Sequence, residues 1–428
     1  MDKGEGGAFP SEVLLERKKG ILLVSLAASF LVALICVAAV FFPQNAGGGT
    51  GGYFVEFSLS DEFYVDGEPL SRSERSALLE EIGALLQEIE DEVSVKKSGS
   101  DISRINAAAA GEQVAVGEHT WALLRLCKQI YSQTAGAFSP ALYNLTELWG
   151  FSPAYEGHYT DPRPEPSAQT VSDALAASDF SDIELRDNNI VVKTNGDTKL
   201  DFGGVAKGYM SDAAAALIRE TYAGKSLDGI LTVMSNSVLF GQKHDASVEG
   251  GVRGYTMEVE NPRSLIKGTG CAAVAVGLSD VAVSTSADNY RFYVNDGKIY
   301  SHILDPNTGK PSENGVISVT VLVPLNGESG AARAYAGAVA DALSTTGFCM
   351  PLKAALEFYE SIGVGAVVIT SEFEYYVVGD YEVLDPGDFS EGAENVFARC
   401  IGLPENSEVG RCKQELAYIE KVAELTGA

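Results

Sequence analysis

Three short runs carry side chains whose types and spacing suit phosphate chemistry. In Ala340-Asp341-Ala342-Leu343-Ser344-Thr345-Thr346, a carboxylate and a hydroxyl stand four apart on one helix face. That pair suits a hard cation such as Mg2+, which takes oxygen ligands and keeps positions for substrate phosphates. It fits equally an aspartate near a helix start with a threonine bonding back to its own helix. Leu200-Asp201-Phe202-Gly203-Gly204-Val205-Ala206-Lys207-Gly208-Tyr209 ends a strand and opens a helix. Paired glycines let backbone approach a ligand, and a helix N-terminus offers free N–H groups to phosphate. Lys207 adds a point charge, and Asp201 can accept hydrogen bonds from a base or ribose. An ordinary strand–helix turn with an aspartate cap explains the same residues. The run is neither a Walker loop nor GxGxxG. In Tyr300-Ser301-His302-Ile303-Leu304-Asp305-Pro306, one of four histidines sits where a strand meets a turn. An imidazole held there suits general acid–base work, although a lone histidine is more often structural.

A fourth run, Gly136-Ala137-Phe138-Ser139-Pro140, follows a helix and leads to Leu148-Trp149-Gly150-Phe151. Its backbone and Phe138 fit either a bracket for an adenine or flavin ring or a packed aromatic corner. Ser98 to Asn106 is a polar loop with a helix-cap signal.

The elements that position these runs follow from periodicity. Leu78, Ile82, Leu85, Leu86 and Ile89 recur at helical spacing within Glu74–Val93. A second helix spans Thr120–Thr134 and stops at Ala135-Gly136. Runs 183–185 and 190–194, split by Asp187-Asn188-Asn189, read as a hairpin. Strand-like runs follow at 228–240, 254–260, 271–276, 281–285, 291–294, 298–304 and 316–323. Helices are expected at 332–349 and 352–361, then strands at 364–370 and 374–378. Helices and strands mix without a βαβ rhythm, which predicts an α+β domain rather than a doubly wound sheet.

The chain has 428 residues and a formal charge of −28. Such acidity argues against nucleic acid and against wide contact with anionic lipid. Ile21–Phe42 carries no charge and follows Arg17, Lys18 and Lys19. At about 1.5 Å per residue this run spans a bilayer core of roughly 30 Å. It reads as an uncleaved signal anchor with the N-terminus in the cytoplasm. The expected organisation is a cytoplasmic segment 1–20, a transmembrane anchor 21–42 and a Gly-rich linker 43–52. A catalytic domain 53–384 and an acidic, partly helical appendage 385–428 follow. Neither CxxC nor HExxH occurs, so a Cys/His zinc site is not expected. Cys400 and Cys412 form a candidate disulfide in an exported tail.

Taken together the motifs resemble the FAD:protein FMN transferase family (ApbE-like proteins), over about residues 95–380. Ser100–Asn106 (SDISRIN), Gly136–Phe151, Leu200–Glu220, Tyr300–Pro311 and Ala340–Gly347 match the family's motifs in order. The resemblance implies a single α+β catalytic domain of ApbE or T-fold-like type. It also implies Mg2+-dependent transfer of FMN from FAD to a Thr or Ser of an acceptor protein, with AMP released. Asp341 and Thr345 then hold Mg2+, joined by the backbone carbonyl at Gly204. Ala137, Phe138, Ser139, Asp201 and Lys207 map onto FAD-binding positions, and His302 onto the candidate base. Two other readings compete: an FAD pyrophosphatase giving FMN and AMP, and a membrane-tethered flavin-binding protein without turnover. The acceptor is expected to be another protein outside the cytoplasm. The chain departs from the family at Ser139, where aspartate is usual, and at Thr285-Ser286-Ala287, where the family has a TSG turn. An early Met-Gly-Thr flavin contact is blurred into Gly51–Phe54, and Val95-Lys96-Lys97 replaces a common tyrosine.

Overall fold

A computed structural model describes residues 55–265, 270–326, 334–389, 396–404 and 409–426. The expected anchor at 21–42 and the residues Gly51–Phe54 lie outside them. Among the described residues no helix is long and apolar enough to cross a membrane.

The apolar run Val316–Pro324 (VISVTVLVP) explains the architecture best, because eight of its nine residues are buried. A strand covered on both faces needs a layer on each side. Val319, Val321 and Val323 join the helical core, whereas Leu322 and, at the register shift between Val316 and Ser318, Ile317 join a second core. The neighbouring strand repeats the pattern, with Ala282 facing one way and Val281 and Val283 the other.

These strands lie in a ten-stranded sheet. From one edge it runs Ala398–Cys400, Glu374–Val378, Gly365–Thr370, Val316–Pro324, Val281–Ala287, Asn236–Phe240, Leu227–Val233, Tyr64–Val65 and Glu68–Pro69, and Phe57–Leu59 also pairs with Leu227–Val233. Its pairings are antiparallel except at the Ala398–Cys400 edge, which lies parallel to Glu374–Val378. Helices Arg72–Val93, Ala206–Thr221, Ala336–Thr346 and Leu352–Ser361 feed the first core. A three-stranded sheet of Tyr255–Glu260, Cys271–Leu278 and Glu382–Leu384 feeds the second. The α+β expectation is met.

Most sequence expectations fall within a few residues of the observed elements. The run 228–240 instead splits into Leu227–Val233 and Asn236–Phe240, because Met234 adopts φ 55° and turns the chain. The helix expected over 332–349 is Ala336–Thr346. Cys400 and Cys412 are free thiols, so the expected disulfide is corrected. Separate anchors hold them: Cys400 pairs in register with Tyr376, and the Cys412 amide donates to Ser371 O at 3.3 Å.

Two features fix the loop that enters the glycine run. The Asn106 side chain donates to Leu200 O at 2.9 Å and accepts from Leu200 N at 2.7 Å, imitating a strand partner. Lys193, 1% exposed, donates to the carbonyls of Asn106, Gly196 and Thr198 at 3.1, 2.8 and 3.0 Å. Three carbonyl acceptors satisfy the three N–H donors of its buried ammonium. The SDISRIN run, silent on its own, is therefore the clamp that sets where Asp201 begins.

Candidate active site

The glycine-loop helix (Ala206–Thr221) and the aspartate helix (Ala336–Thr346) cross at backbone contact. A Cβ at Gly208 would lie 2.1 Å from Gly337 O, and one at Gly337 would lie 2.3 Å from Ser211 Oγ. Glycine is required at both because any side chain would separate the helices.

That approach creates the centre of the site. Asp341, 2% exposed, accepts from Gly208 N at 3.1 Å, from Lys207 Nζ at 3.2 Å and from Ser284 Oγ at 3.3 Å. One N–H of this helix start, that of Gly208, is thus directed at the Asp341 carboxylate. Lys207 Nζ also donates to Gly203 O at 2.7 Å, which folds the lysine over the loop. Thr345 Oγ1 donates to Asp341 O at 3.4 Å, the helix back-bond foreseen for that spacing. The hydroxyl also faces the loop, since a Cβ at Gly204 would sit 3.4 Å from it and 3.7 Å from the Phe138 ring.

Asp341, Lys207, Thr345, Gly204 and Phe138 are therefore brought together. Ala137 and Phe138 are buried, and Phe138 belongs to the main core at 3% exposure, in keeping with a packed corner. Ser139 Oγ accepts from Ala141 N at 3.2 Å and shapes the turn. The next residue joins the glycine run: Asp201 N donates to Pro140 O at 2.8 Å. Asp201 Oδ1 accepts from Gly203 N at 2.9 Å, the cap-like turn foreseen as the plainer reading. Asp201 is only half-buried by surface area, yet its surroundings desolvate the carboxyl and push it above the usual carboxylate range. The Gly203 amide, Arg291 and Lys207 pull it back only in part.

His302 stands on another wall. Its backbone N donates to Arg291 O at 2.9 Å, and Nδ1 lies 3.2 Å from the same oxygen. A carbonyl only accepts, so Nδ1 carries the proton and Nε2 holds the lone pair of the neutral ring. Phe151 meets the imidazole edge to face at 6.4 Å. Arg291 links this wall to the centre: its guanidinium stacks 5.1 Å over Tyr159 and acts electrostatically on Asp201.

Several contributors escaped sequence reasoning because they come from distant segments. Ser286 Oγ lies 2.7 Å from Ser344 Oγ and 3.3 Å from Thr345 Oγ1. The TSA run is extended strand, with Ala287 opposite Ser318, so alanine is accommodated where the family has glycine. Asn236 pairs in register with Ser284, and both polar atoms of its fully buried amide are unpartnered.

Asp212 was also missed. From the glycine-loop helix it accepts from Gly337 N at 2.7 Å and Ala338 N at 2.8 Å, capping the aspartate helix across the crossing. Burial pushes its carboxyl up to about 7 from 3.8, against the pull of those amides. A raised carboxyl value contributes stability that is complete below about pH 4 and lost as pH rises through about 7. Asp212→Asn is expected to remove that slope at little cost in capping, because asparagine caps a helix about as well as aspartate. Urea unfolding of both proteins at about pH 5 and about pH 8 measures it, and equal slopes would remove the assignment.

The donors Asp341 Oδ, Thr345 Oγ1 and Gly204 O are hard oxygens and fit Mg2+. Among the described residues there is no group of three His, Cys, Asp or Glu that could hold a metal ion. A cation here would therefore take one carboxylate, neutral oxygens and the ligand's own phosphates.

A family model described as "ApbE family" matches residues 53–368. The FAD:protein FMN transferase of Treponema pallidum is 30% identical over 313 residues, covering 69% of this chain and 78% of that protein. That of Escherichia coli K12 is 26% identical over 356 residues, covering 80% and 93%. The crystal structure of the ApbE protein of Thermotoga maritima superposes with a TM-score of 0.59 at 26% identity, covering 78% of this chain and 94% of that one.

Proposed function

The chain belongs to the ApbE family, and we propose that it is an FAD:protein FMN transferase that uses Mg2+ and modifies a Thr or Ser of another protein. One observation carries the reading: Asp341, Lys207, Thr345 and the Gly204 backbone converge where two helices touch. Positive charge and hard oxygens gathered there suit a diphosphate.

In the proposed reaction the acceptor hydroxyl attacks the FMN-side phosphorus of FAD. A new P–O bond forms, the bond to the bridging oxygen breaks, and AMP departs with that oxygen. His302 Nε2 takes the hydroxyl proton. Lys207, now paired with Asp341, would supply positive charge to a phosphate oxygen, and Asp341, Thr345 and Gly204 O would hold the cation. The cation, when bound, neutralises charge developing on the diphosphate and assists AMP departure. Asp201, whose carboxyl is desolvated, and Ala137, Phe138 and Ser139 line the flavin-nucleotide side. Phosphoryl transfer needs mainly positioning and charge, which this arrangement offers.

Residues 21–42 are proposed as an anchor that keeps the domain outside the cytoplasm near its acceptors and raises their effective concentration. One experiment tests both proposals. Membranes washed with alkaline carbonate are incubated with FAD and Mg2+, and acceptors are read by in-gel flavin fluorescence and intact mass. Enzyme retained in the pellet and a gain of one FMN per acceptor are expected. FMN and AMP release without modification would instead identify a pyrophosphatase. Tight FAD binding without AMP would identify a binding protein, and enzyme in the wash would remove the anchor.

A further inference from the structure

The family match ends at residue 368 and leaves the last part of the chain without a role. The C-terminal helix (Lys413–Thr426) nevertheless docks beside the His302 wall. Arg263, its side chain 3% exposed, is held by two carboxylates. Nη1 and Nη2 donate to Asp288 at 2.6 and 2.8 Å, and Nε and Nη2 donate to Glu415 at 2.5 and 2.8 Å. Bidentate pairs of this kind fix orientation as well as distance. The guanidinium also lies 5.0 Å over Tyr418 of the same helix.

Asp288 stands at a junction of the site. It follows the strand whose Ser284 and Ser286 reach Asp341 and Thr345. Three residues after it, the Arg291 carbonyl accepts from the backbone N and from Nδ1 of His302. The hairpin between them pairs Phe292 with Ser301, the residue before His302. Ile419 and Val422 of the C-terminal helix bury Val294 of that hairpin and pack on Phe292 and Ile299. One helix thus grips the approach to His302 by an ion network and its hairpin by an apolar face.

We propose that the C-terminal helix braces the His302 wall, with Glu415, acting through Arg263, Asp288 and the Arg291 carbonyl, as a positioning residue for His302. The kinetic part of this rests on the transferase reading; the structural part does not.

The test uses the full chain with Glu415→Gln, which keeps the side-chain volume and removes the charge. Lys421→Ala, on the exposed face of the same helix, is the control. Hydrogen exchange is expected to quicken roughly tenfold over residues 288–302 in Glu415→Gln and to stay unchanged over 336–346. The turnover number for FMN transfer is expected to fall about 3–30-fold, with KM for FAD nearly constant, because a small misplacement of a reacting group is costly. On a His302→Ala background, Glu415→Gln is expected to cost no further turnover. Lys421→Ala is expected to match the parent in every measurement. Unchanged exchange over 288–302 overturns the brace. Faster exchange with unaltered turnover, or a loss that adds to that of His302→Ala, reduces the helix to scaffolding and overturns the positioning role. If the parent chain transfers no FMN, the transferase reading falls and hydrogen exchange alone decides the brace.

Discussion

Asp341→Ala is expected to lower Mg2+-dependent FMN transfer on the order of 10³-fold or more, while the chain stays folded. The carboxylate accepts from Gly208 N, Lys207 Nζ and Ser284 Oγ, so alanine leaves three donors without their acceptor and would remove the charged ligand of the proposed cation. Each donor left unsatisfied costs about 1–3 kcal/mol, against the roughly 5–15 kcal/mol by which domains are stable. Lys207 is 22% exposed at its side chain and turns to water once released. Circular dichroism checks the fold, and Mg2+ titration of turnover checks the chemistry. Asp341→Asn keeps the shape and one acceptor but lacks the charge, and is expected to fall nearly as far. Transfer at the parental rate in the alanine variant would show that the cation is held elsewhere.

His302→Ala is the second large effect, a loss of roughly 10²–10⁴-fold if the imidazole takes the acceptor's proton. The tautomer gives this expectation its detail. Nδ1 is committed to Arg291 O as a donor, so in the neutral ring Nε2 carries the lone pair. Added imidazole is expected to restore part of the rate to the alanine variant. A ring needed only as packing against Phe151 would not be replaced by free imidazole in this way. A rate unchanged by the substitution would leave His302 as part of the wall and assign deprotonation to another group.

The local signals in the chain were the legible ones. The spacing of Asp341 and Thr345 announced a shared helix face, which is found. The glycine run announced backbone approach to a ligand; the approach observed is of helix to helix, at Gly208 and Gly337. What stayed hidden depends on contacts between distant segments. Nothing within SDISRIN tells that Asn106 completes a strand pairing with Leu200, 94 positions away. Asp212 looks like one more helical acid until the Gly208–Gly337 crossing sets it against the next helix's amides. The Thr285-Ser286-Ala287 departure looked serious because a TSG run reads as a turn. It is harmless here because the segment is extended strand, where glycine's freedom has no use. The tail carried no chemistry by composition, since Glu415 is one acid among many in the sequence and is distinguished only by Arg263.

The parallel pairing of Ala398–Cys400 on Glu374–Val378 has a further consequence. Glu374-Tyr375-Tyr376-Val377-Val378 is short, aromatic and branched, and its outer rim of amides and carbonyls would otherwise be open to a strand from another molecule. The chain's own tail occupies that rim and shields it from self-association. Strand pairing between molecules is thus opposed by geometry as well as by charge, and shortening the tail would weaken the first safeguard while leaving the second.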